Sequence, residues 1–126
     1  MANLEPKKIL LAEDDQFLQK MYAVKLGREG LAVATADDGE KALSAMRASQ
    51  PDLVLLDLMM PKKDGFAVLE EMKADSALKN IPVVVLSNLG EMDYVKRAKR
   101  LGADDYLIKA HFLPSEVVGV VKKYIK

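Results

Sequence analysis

Acidic side chains follow short apolar runs at two places in this sequence. Residues 53–61 read LVLLDLMMP, with Asp57 in the middle of the stretch, and Glu13 and Asp14 follow the run ILLA. A carboxylate in apolar surroundings is costly unless it is paired, hydrogen-bonded or bound to a cation. We therefore expect these acids to stand at the ends of strands, where partners can reach them.

A hydroxyl and an amine occupy comparable positions farther along the chain. Ser87 ends the run VVVLS, and Lys109 ends DYLIK. In open parallel α/β sheets, ligands bind beyond the carboxyl ends of the strands. Carboxylates that converge there repel one another, and Mg²⁺, which prefers oxygen ligands, relieves the repulsion. The pattern predicts that Asp57 accepts a phosphoryl group while the cation, Ser87 and Lys109 hold its oxygens.

The spacing of apolar residues predicts five strand–helix pairs that position these side chains. Strands are expected at 7–12, 31–36, 52–57, 81–87 and 105–109, and helices at 15–29, 37–49, 65–73, 92–101 and 115–125. This alternation predicts an α/β fold with a parallel sheet and right-handed crossovers. Strands 3 and 4 are apolar throughout, which is typical of central strands. Asp37, with Glu40 three residues later, is the predicted cap of the second helix.

Composition bounds the class of protein. The chain has 126 residues, of which 50% are hydrophobic and 30% charged, so we expect one domain over 1–126 with a flexible tail at 1–5. Lys plus Arg and Asp plus Glu are both 19, which gives no overall attraction to nucleic acid or membrane surfaces. There is no Cys and no signal-like or membrane-spanning run, so a cytoplasmic location is expected.

Four segments in order, ILLAEDD, LLDLMMPKKDGF, VVVLSN and GADDYLIK, resemble the response-regulator receiver domains of two-component signalling. The resemblance runs along the whole chain, with each segment at a predicted strand end. It implies a flavodoxin-like, doubly wound (βα)5 fold whose five parallel strands have the order 2-1-3-4-5.

The resemblance also implies roles for the residues at the phosphoacceptor. Asp57 would accept the phosphoryl group, with Ser87 and Lys109 as its contacts. Tyr106 would be the aromatic switch residue, although a half-buried strand residue explains it equally well. Phosphorylation would then shift the population of a face formed by helix 4, strand 5 and helix 5.

The metal ligands are implied in the same way. Asp14 would bind Mg²⁺ directly, Glu13 through water, and Met59 through its main-chain carbonyl, together with Asp57. Asp15 falls one place beyond the acidic pair and is left out of the site.

The sequence departs from the family pattern at three places. Ala110 follows Lys109 where the family usually has Pro, so the peptide bond there is either trans or a strained cis bond. Leu113 stands where the last helix usually has a Ser or Thr cap, which predicts a loose start. Apolar Met59 and Leu89 flank the site, which predicts slow loss of the phosphoryl group because neither side chain positions a water.

The expected partners are a sensor histidine kinase or histidine phosphotransfer protein and an unknown output protein. Beyond its own phosphorylation and dephosphorylation we expect no enzymatic turnover. The chain is expected to be a monomer or a phosphorylation-dependent dimer. Two readings of its organisation stay open, a stand-alone receiver and a receiver cut from a larger protein.

Three other functions remain in competition. A pseudo-receiver would fold without being phosphorylated. A small aspartyl-phosphate phosphatase would need a second acid at position 59, where this sequence has Met. A flavin-binding module would need a phosphate-binding loop after the first strand, where AEDDQF has carboxylates that would repel a phosphate. His111 and the basic run KRAKR at 96–100 are more simply explained as solvated residues, although the run offers a docking site for an acidic partner.

Overall fold

The structure is a computed structural model that describes residues 5–125. Its strands are β1 (Lys8–Ala12), β2 (Ala32–Ala36), β3 (Leu53–Leu56), β4 (Val83–Ser87) and β5 (Asp105–Ile108). Its α-helices are α1 (Gln16–Arg28), α2 (Gly39–Ala48), α3 (Gly65–Ala74), α4 (Met92–Arg100) and α5 (Pro114–Tyr124). One short 3₁₀ helix, Lys109–His111, follows β5.

All five strands pair in parallel in the order β2-β1-β3-β4-β5, which confirms the predicted fold class and strand order. The central strands β3 and β4 are buried at every residue, as their apolar sequences predict. Because the strands are parallel, the segments that carry Glu13, Asp57, Ser87 and Lys109 leave the sheet at one edge.

Alternate residues of the strands enter two separate hydrophobic cores. Leu10, Val54 and Val85 face a core completed by α2, α3 and Ala98 of α4. Leu11 and Leu55 face the other core, which α1 and α5 cover. The sheet is thus covered on both faces, and its carboxyl edge remains open for a site.

Two predicted strand ends move by one residue. β3 ends at Leu56, and Asp57 is the first residue beyond it, although the Asp57 N–H still donates to the Ala12 carbonyl at 3.0 Å. β5 ends at Ile108, because Lys109 starts the 3₁₀ turn. Both shifts move a predicted site residue from the strand into the loop at the open edge.

Two predictions about helix starts are wrong. Asp38, not Asp37, caps α2, and its side chain accepts a hydrogen bond from the Lys41 N–H at 2.8 Å. The start of α5 is not loose, because the Leu113 N–H donates to Glu116 Oε1 at 2.8 Å and Pro114 occupies the first turn.

Residues 1–4 of the expected flexible tail lie outside the described residues. Within residues 5–125 every peptide bond is trans, including the bond between Lys109 and Ala110. No helix in that range combines the length and apolar character that crossing a membrane requires.

Candidate phosphorylation site

Three carboxylates meet at the carboxyl edge of the sheet. Glu13, Asp14 and Asp57 each offer an oxygen, and the three oxygens lie within 4.8 Å of one another. Glu13 and Asp57 are buried, whereas Asp14 is exposed. Since Mg²⁺ prefers oxygen ligands and binds through few carboxylates plus waters, this donor set fits such an ion.

Lys109 joins the two buried acids. Its Nζ lies 2.5 Å from Glu13 Oε1 and 2.9 Å from Asp57 Oδ2, and its side chain is only 10% exposed. Burial by itself lowers the pKa of Lys109, but the hydrogen bonds to Glu13 and Asp57 outweigh it, so the pKa is raised. Lys109 is therefore a cation at neutral pH and already neutralises part of the acidic cluster.

Glu13 uses all of its polar atoms. The Asp15 N–H donates to its Oε2 at 3.1 Å, the Gln19 amide donates to its carbonyl at 2.8 Å, and its own N–H donates to the Ala36 carbonyl at 2.9 Å. Burial raises the pKa of Glu13, and the nearby Asp57 charge acts in the same direction against the Lys109 hydrogen bond. These hydrogen bonds hold the Glu13 side chain and main chain in one position.

Asp15 stands outside the cluster, as predicted. Its side chain caps α1 by accepting from the Leu18 N–H at 3.0 Å. The three consecutive acids therefore have three separate environments: Glu13 is buried in a hydrogen-bond network, Asp14 is exposed at the acidic cluster, and Asp15 caps a helix.

Both carboxylate oxygens of Asp57 have hydrogen-bond donors. Lys109 contacts Oδ2, and the Met59 N–H donates to Oδ1 at 3.3 Å. Gly65, the first residue of α3, packs against this segment so closely that a Cβ there would lie 2.4 Å from the Asp57 carbonyl oxygen. The backbone around Asp57 is fixed by this contact with the start of α3.

Ser87 and Tyr106 reach the same edge from β4 and β5. Leu56 pairs with Val85, so Ser87 lies one residue beyond the level of Asp57. The Ser87 hydroxyl is buried and accepts from the Leu89 N–H at 3.2 Å, while the Tyr106 hydroxyl donates to the Leu89 carbonyl. Burial raises the pKa of Tyr106. The two predicted switch residues thus hold the same loop residue from two sides.

A groove of about 660 Å³ opens beside the acids. Met59 and Leu89 line it, as do Phe66, Tyr94 and Arg97. Met59 is 63% exposed, so a molecule that approaches Asp57 from this side meets apolar side chains.

The structure brings together the predicted residues Glu13, Asp14, Asp57 and Lys109. Met59 contacts Asp57 through its N–H, whereas Ser87 and Tyr106 contact Leu89. Sequence reasoning missed Gln19 and Gly65. Gly65 carried a signal, since it follows the helix cap Asp64 in the turn KKDG. Gln19 carried none, because a glutamine on a helix is ordinary surface composition. His111 is exposed, in line with a solvated residue.

A family model for the response regulator receiver domain matches residues 9–121. The chain belongs to this family. Receiver domains of response regulators act in two-component signalling, and the family places this chain in that class of signalling protein.

Similar proteins agree with this assignment. A probable transcriptional regulator ycf27 from Galdieria sulphuraria is 40% identical over 123 residues, which cover 97% of this chain and 47% of that protein. The chain spans about half the length of the curated relatives it matches.

Two solved structures are especially informative. The phosphorylated cyanobacterial phytochrome response regulator RcpA has a TM-score of 0.82 at 38% identity, covering 94% of this chain and 90% of that one. The Mn²⁺-bound form of response regulator Rcp1 has a TM-score of 0.87 at 32% identity, covering 96% of both chains.

Proposed function

We propose that this chain is a phosphoacceptor that takes a phosphoryl group from a phosphohistidine onto Asp57. A carboxylate oxygen of Asp57 forms the new bond to phosphorus, the bond from phosphorus to the histidine nitrogen breaks, and the released imidazole takes up a proton. The carrying observation is the convergence of Glu13, Asp14 and Asp57 with Lys109 at one edge.

Each residue contributes a separate part of the reaction. Asp57 is held by Lys109 and the Met59 N–H, so its carboxylate is oriented before a donor arrives. The Lys109 ammonium and the Ser87 hydroxyl would bind oxygens of the phosphoryl group.

Mg²⁺ bound by Asp14 and Asp57, with Glu13 beside them, would screen the carboxylates from the incoming anion. The Met59 main-chain carbonyl is the further ligand that the family resemblance implies. The Mn²⁺-bound form of Rcp1 supports a divalent cation in a relative, and phosphorylated RcpA supports the modification.

The proposed partners are a sensor histidine kinase or histidine phosphotransfer protein as donor and an unidentified output protein. Output would pass through the surface of α4, β5 and α5, where Tyr106 contacts the loop before α4. The chain would turn over no substrate other than its own phosphoryl group.

The pseudo-receiver alternative loses the feature that favoured it. Ala110 raised doubt about Lys109, yet Lys109 reaches both Glu13 and Asp57 with Ala110 beside it. The phosphatase alternative lacks an acid at position 59, where the exposed Met59 has no group that transfers a proton.

Intact mass spectrometry tests the proposal. The protein is incubated with a small acyl phosphate in Mg²⁺, in EDTA, and in Mg²⁺ after the change Asp57→Asn. We expect one phosphoryl group only in the wild type with Mg²⁺. A full gain in Asp57→Asn at a single site would refute the assignment of Asp57.

The apolar flank predicts a long-lived phosphoryl group. Met59 and Leu89 offer no donor or acceptor that orients a water for attack on phosphorus. Replacing Leu89 by Gln should therefore shorten the lifetime severalfold, measured as loss of phosphorylated mass after the donor is removed. Leu113→Gln, an equally polar change at an exposed site, is the control. A wild-type lifetime no longer than that of Leu89→Gln would contradict this prediction.

A further inference from the structure

Among residues 5–125, Asp14 is the one member of the acidic cluster whose carboxylate has no partner. Within residues 5–125 its side chain makes no hydrogen bond and no ion pair, and it is exposed. Glu13 and Asp57, by contrast, are both held by Lys109. An exposed carboxylate without partners samples several rotamers, which weakens a metal site unless its backbone is fixed.

The backbone is fixed on both sides of Asp14. The peptide group before it is held by the Gln19 side-chain amide, which donates to the Glu13 carbonyl at 2.8 Å. The peptide group after it is held by the Asp15 N–H, which donates to Glu13 Oε2 at 3.1 Å. With both neighbouring peptide planes held, the direction of the Asp14 side chain depends mainly on its own χ angles.

Gln19 is itself well anchored. It lies on the first turns of α1, its main-chain N–H donates to the Asp15 carbonyl at 2.8 Å, and the Asp15 side chain caps the helix. Its amide is therefore delivered to the Glu13 carbonyl by a rigid element. Of the two bonds that hold the planes around Asp14, only this one comes from a side chain outside the acidic run.

We propose that Gln19 is a positioning residue for the divalent cation, acting through the peptide group that joins Glu13 to Asp14. The inference rests on the proposed Mg²⁺ site and adds a residue that contacts neither the ion nor the phosphoryl group. Loss of the amide frees the Glu13–Asp14 peptide plane to rotate and moves the Asp14 carboxylate away from Asp57. Partners of this kind typically change metal affinity by roughly 10- to 100-fold when removed.

The test compares two identical changes on one helix. Gln19→Met keeps an unbranched, uncharged side chain and removes the donor. Gln16→Met makes the same change at an exposed residue whose side chain makes no hydrogen bond within residues 5–125. The dissociation constants of Mg²⁺ alone are measured by calorimetry and by chemical-shift titration, and that of Mn²⁺ by electron paramagnetic resonance. The chain has no Trp, so fluorescence quenching is unsuitable.

We expect Gln19→Met to weaken Mg²⁺ binding about 10-fold, while Gln16→Met stays within about twofold of the wild type. A purely structural role for Gln19 would lower the thermal midpoint and leave the affinity of the folded protein unchanged, so the midpoint is measured alongside. An affinity within about twofold of the wild type in Gln19→Met would overturn the proposal.

The same variants separate this inference from the proposed function. If Gln19→Met weakens Mg²⁺ binding but the wild type takes up no phosphoryl group, the positioning role stands and the phosphoacceptor function fails. If the wild type is phosphorylated and Gln19→Met binds Mg²⁺ normally, only the positioning role fails. With both correct, saturating Mg²⁺ should restore phosphorylation of Gln19→Met to the wild-type rate.

Discussion

The acidic site and helix α4 lie next to each other, yet they are held by different means. At the site, Glu13 uses every polar atom, and Lys109 ties it to Asp57 within a buried setting. In α4, Ala98 alone is buried, and Glu91 provides no side-chain cap at the start of the helix.

The attachment of α4 depends on a few contacts at its inner face. The Arg97 guanidinium lies 4.1 Å above the centre of the Phe66 ring, and the Tyr94 ring stacks on Phe66 with the centroids 6.1 Å apart. On the outer face, Lys96, Lys99 and Arg100 have no ion pair among the described residues.

The difference shows how a local event at Asp57 can act on the neighbouring helix α4 without disturbing the site. Regions with few buried contacts open or shift at low free-energy cost, whereas regions held by many buried contacts and hydrogen bonds do not. A phosphoryl group that alters the contacts of Lys109 and Ser87 would leave the site in place. It would shift the population of conformations that α4 adopts. Four predictions test this contrast, beginning with the largest effect.

Of the changes considered, Lys109→Met should lower the free energy of unfolding most. Removal of the cation leaves two buried carboxylates facing each other, and breaking a buried ion pair from one side costs about 3–5 kcal/mol. Urea unfolding in EDTA should show this loss, and Mg²⁺ should recover much of it because the ion replaces the missing charge. Lys20→Met, at an exposed position of α1, is the control. Equal stability of the two variants in EDTA would contradict the account.

Gly65→Ala and Gly119→Ala should have opposite effects. A Cβ at Gly65 would press on the Asp57 carbonyl, whereas no atom of the described part of the chain lies within 4 Å of a Cβ at Gly119 in α5. We expect a loss of about 1–3 kcal/mol at Gly65 and a gain of about 0.5–1 kcal/mol at Gly119. Urea midpoints measure both, and a tolerated Gly65→Ala would show that the segment around Asp57 is less rigid than described.

Arg97→Met should loosen α4 with a small cost in overall stability. The cation–π contact with Phe66 contributes about 0.5–1 kcal/mol at a site this exposed. Amide hydrogen exchange in 92–100 should accelerate, while exchange in β1 and β3 stays unchanged. Arg100→Met removes the same charge on the outer face and should have no such effect. Equal exchange in the two variants would show that Phe66 does not hold the helix.

The smallest predicted effect is on the stability of the protein at alkaline pH. Burial raises the pKa of Tyr22 and of Tyr106 above the ordinary 10.0. Because the folded-state pKa is raised, the stabilising contribution is complete below pH 10 and is lost as the pH rises through the folded-state value. Absorbance titration should show delayed ionisation, and the urea midpoint of Tyr22→Phe should fall less steeply above pH 10 than that of the wild type. Parallel slopes would exclude the effect.

The sequence was informative where a pattern has one physical solution. Apolar strands separated by helical repeats imply a parallel sheet, and a parallel sheet puts Asp57, Ser87 and Lys109 at one edge. The location of the site followed from the residues, while the strand order followed from the family resemblance.

Other features depend on tertiary orientation and left little trace in the sequence. Asp37 and Asp38 are the same residue type, so only the backbone direction decides that Asp38 caps α2. Pairing of Lys109 with both Glu13 and Asp57 requires side-chain positions that no spacing specifies. The contact between Arg97 and Phe66 joins two helices whose packing angle is unknown from the sequence alone.

The central claim is that phosphorylation of Asp57 acts on α4 while the site itself stays fixed. Hydrogen exchange followed by mass spectrometry of peptides, with and without an acyl phosphate in Mg²⁺, tests it most directly. We predict a phosphoryl group on the peptide containing Asp57, changed exchange in residues 88–100, and unchanged exchange in β1 and β3. A phosphoryl group on another peptide, or a phosphorylated Asp57 with no change in residues 88–100, would contradict the account.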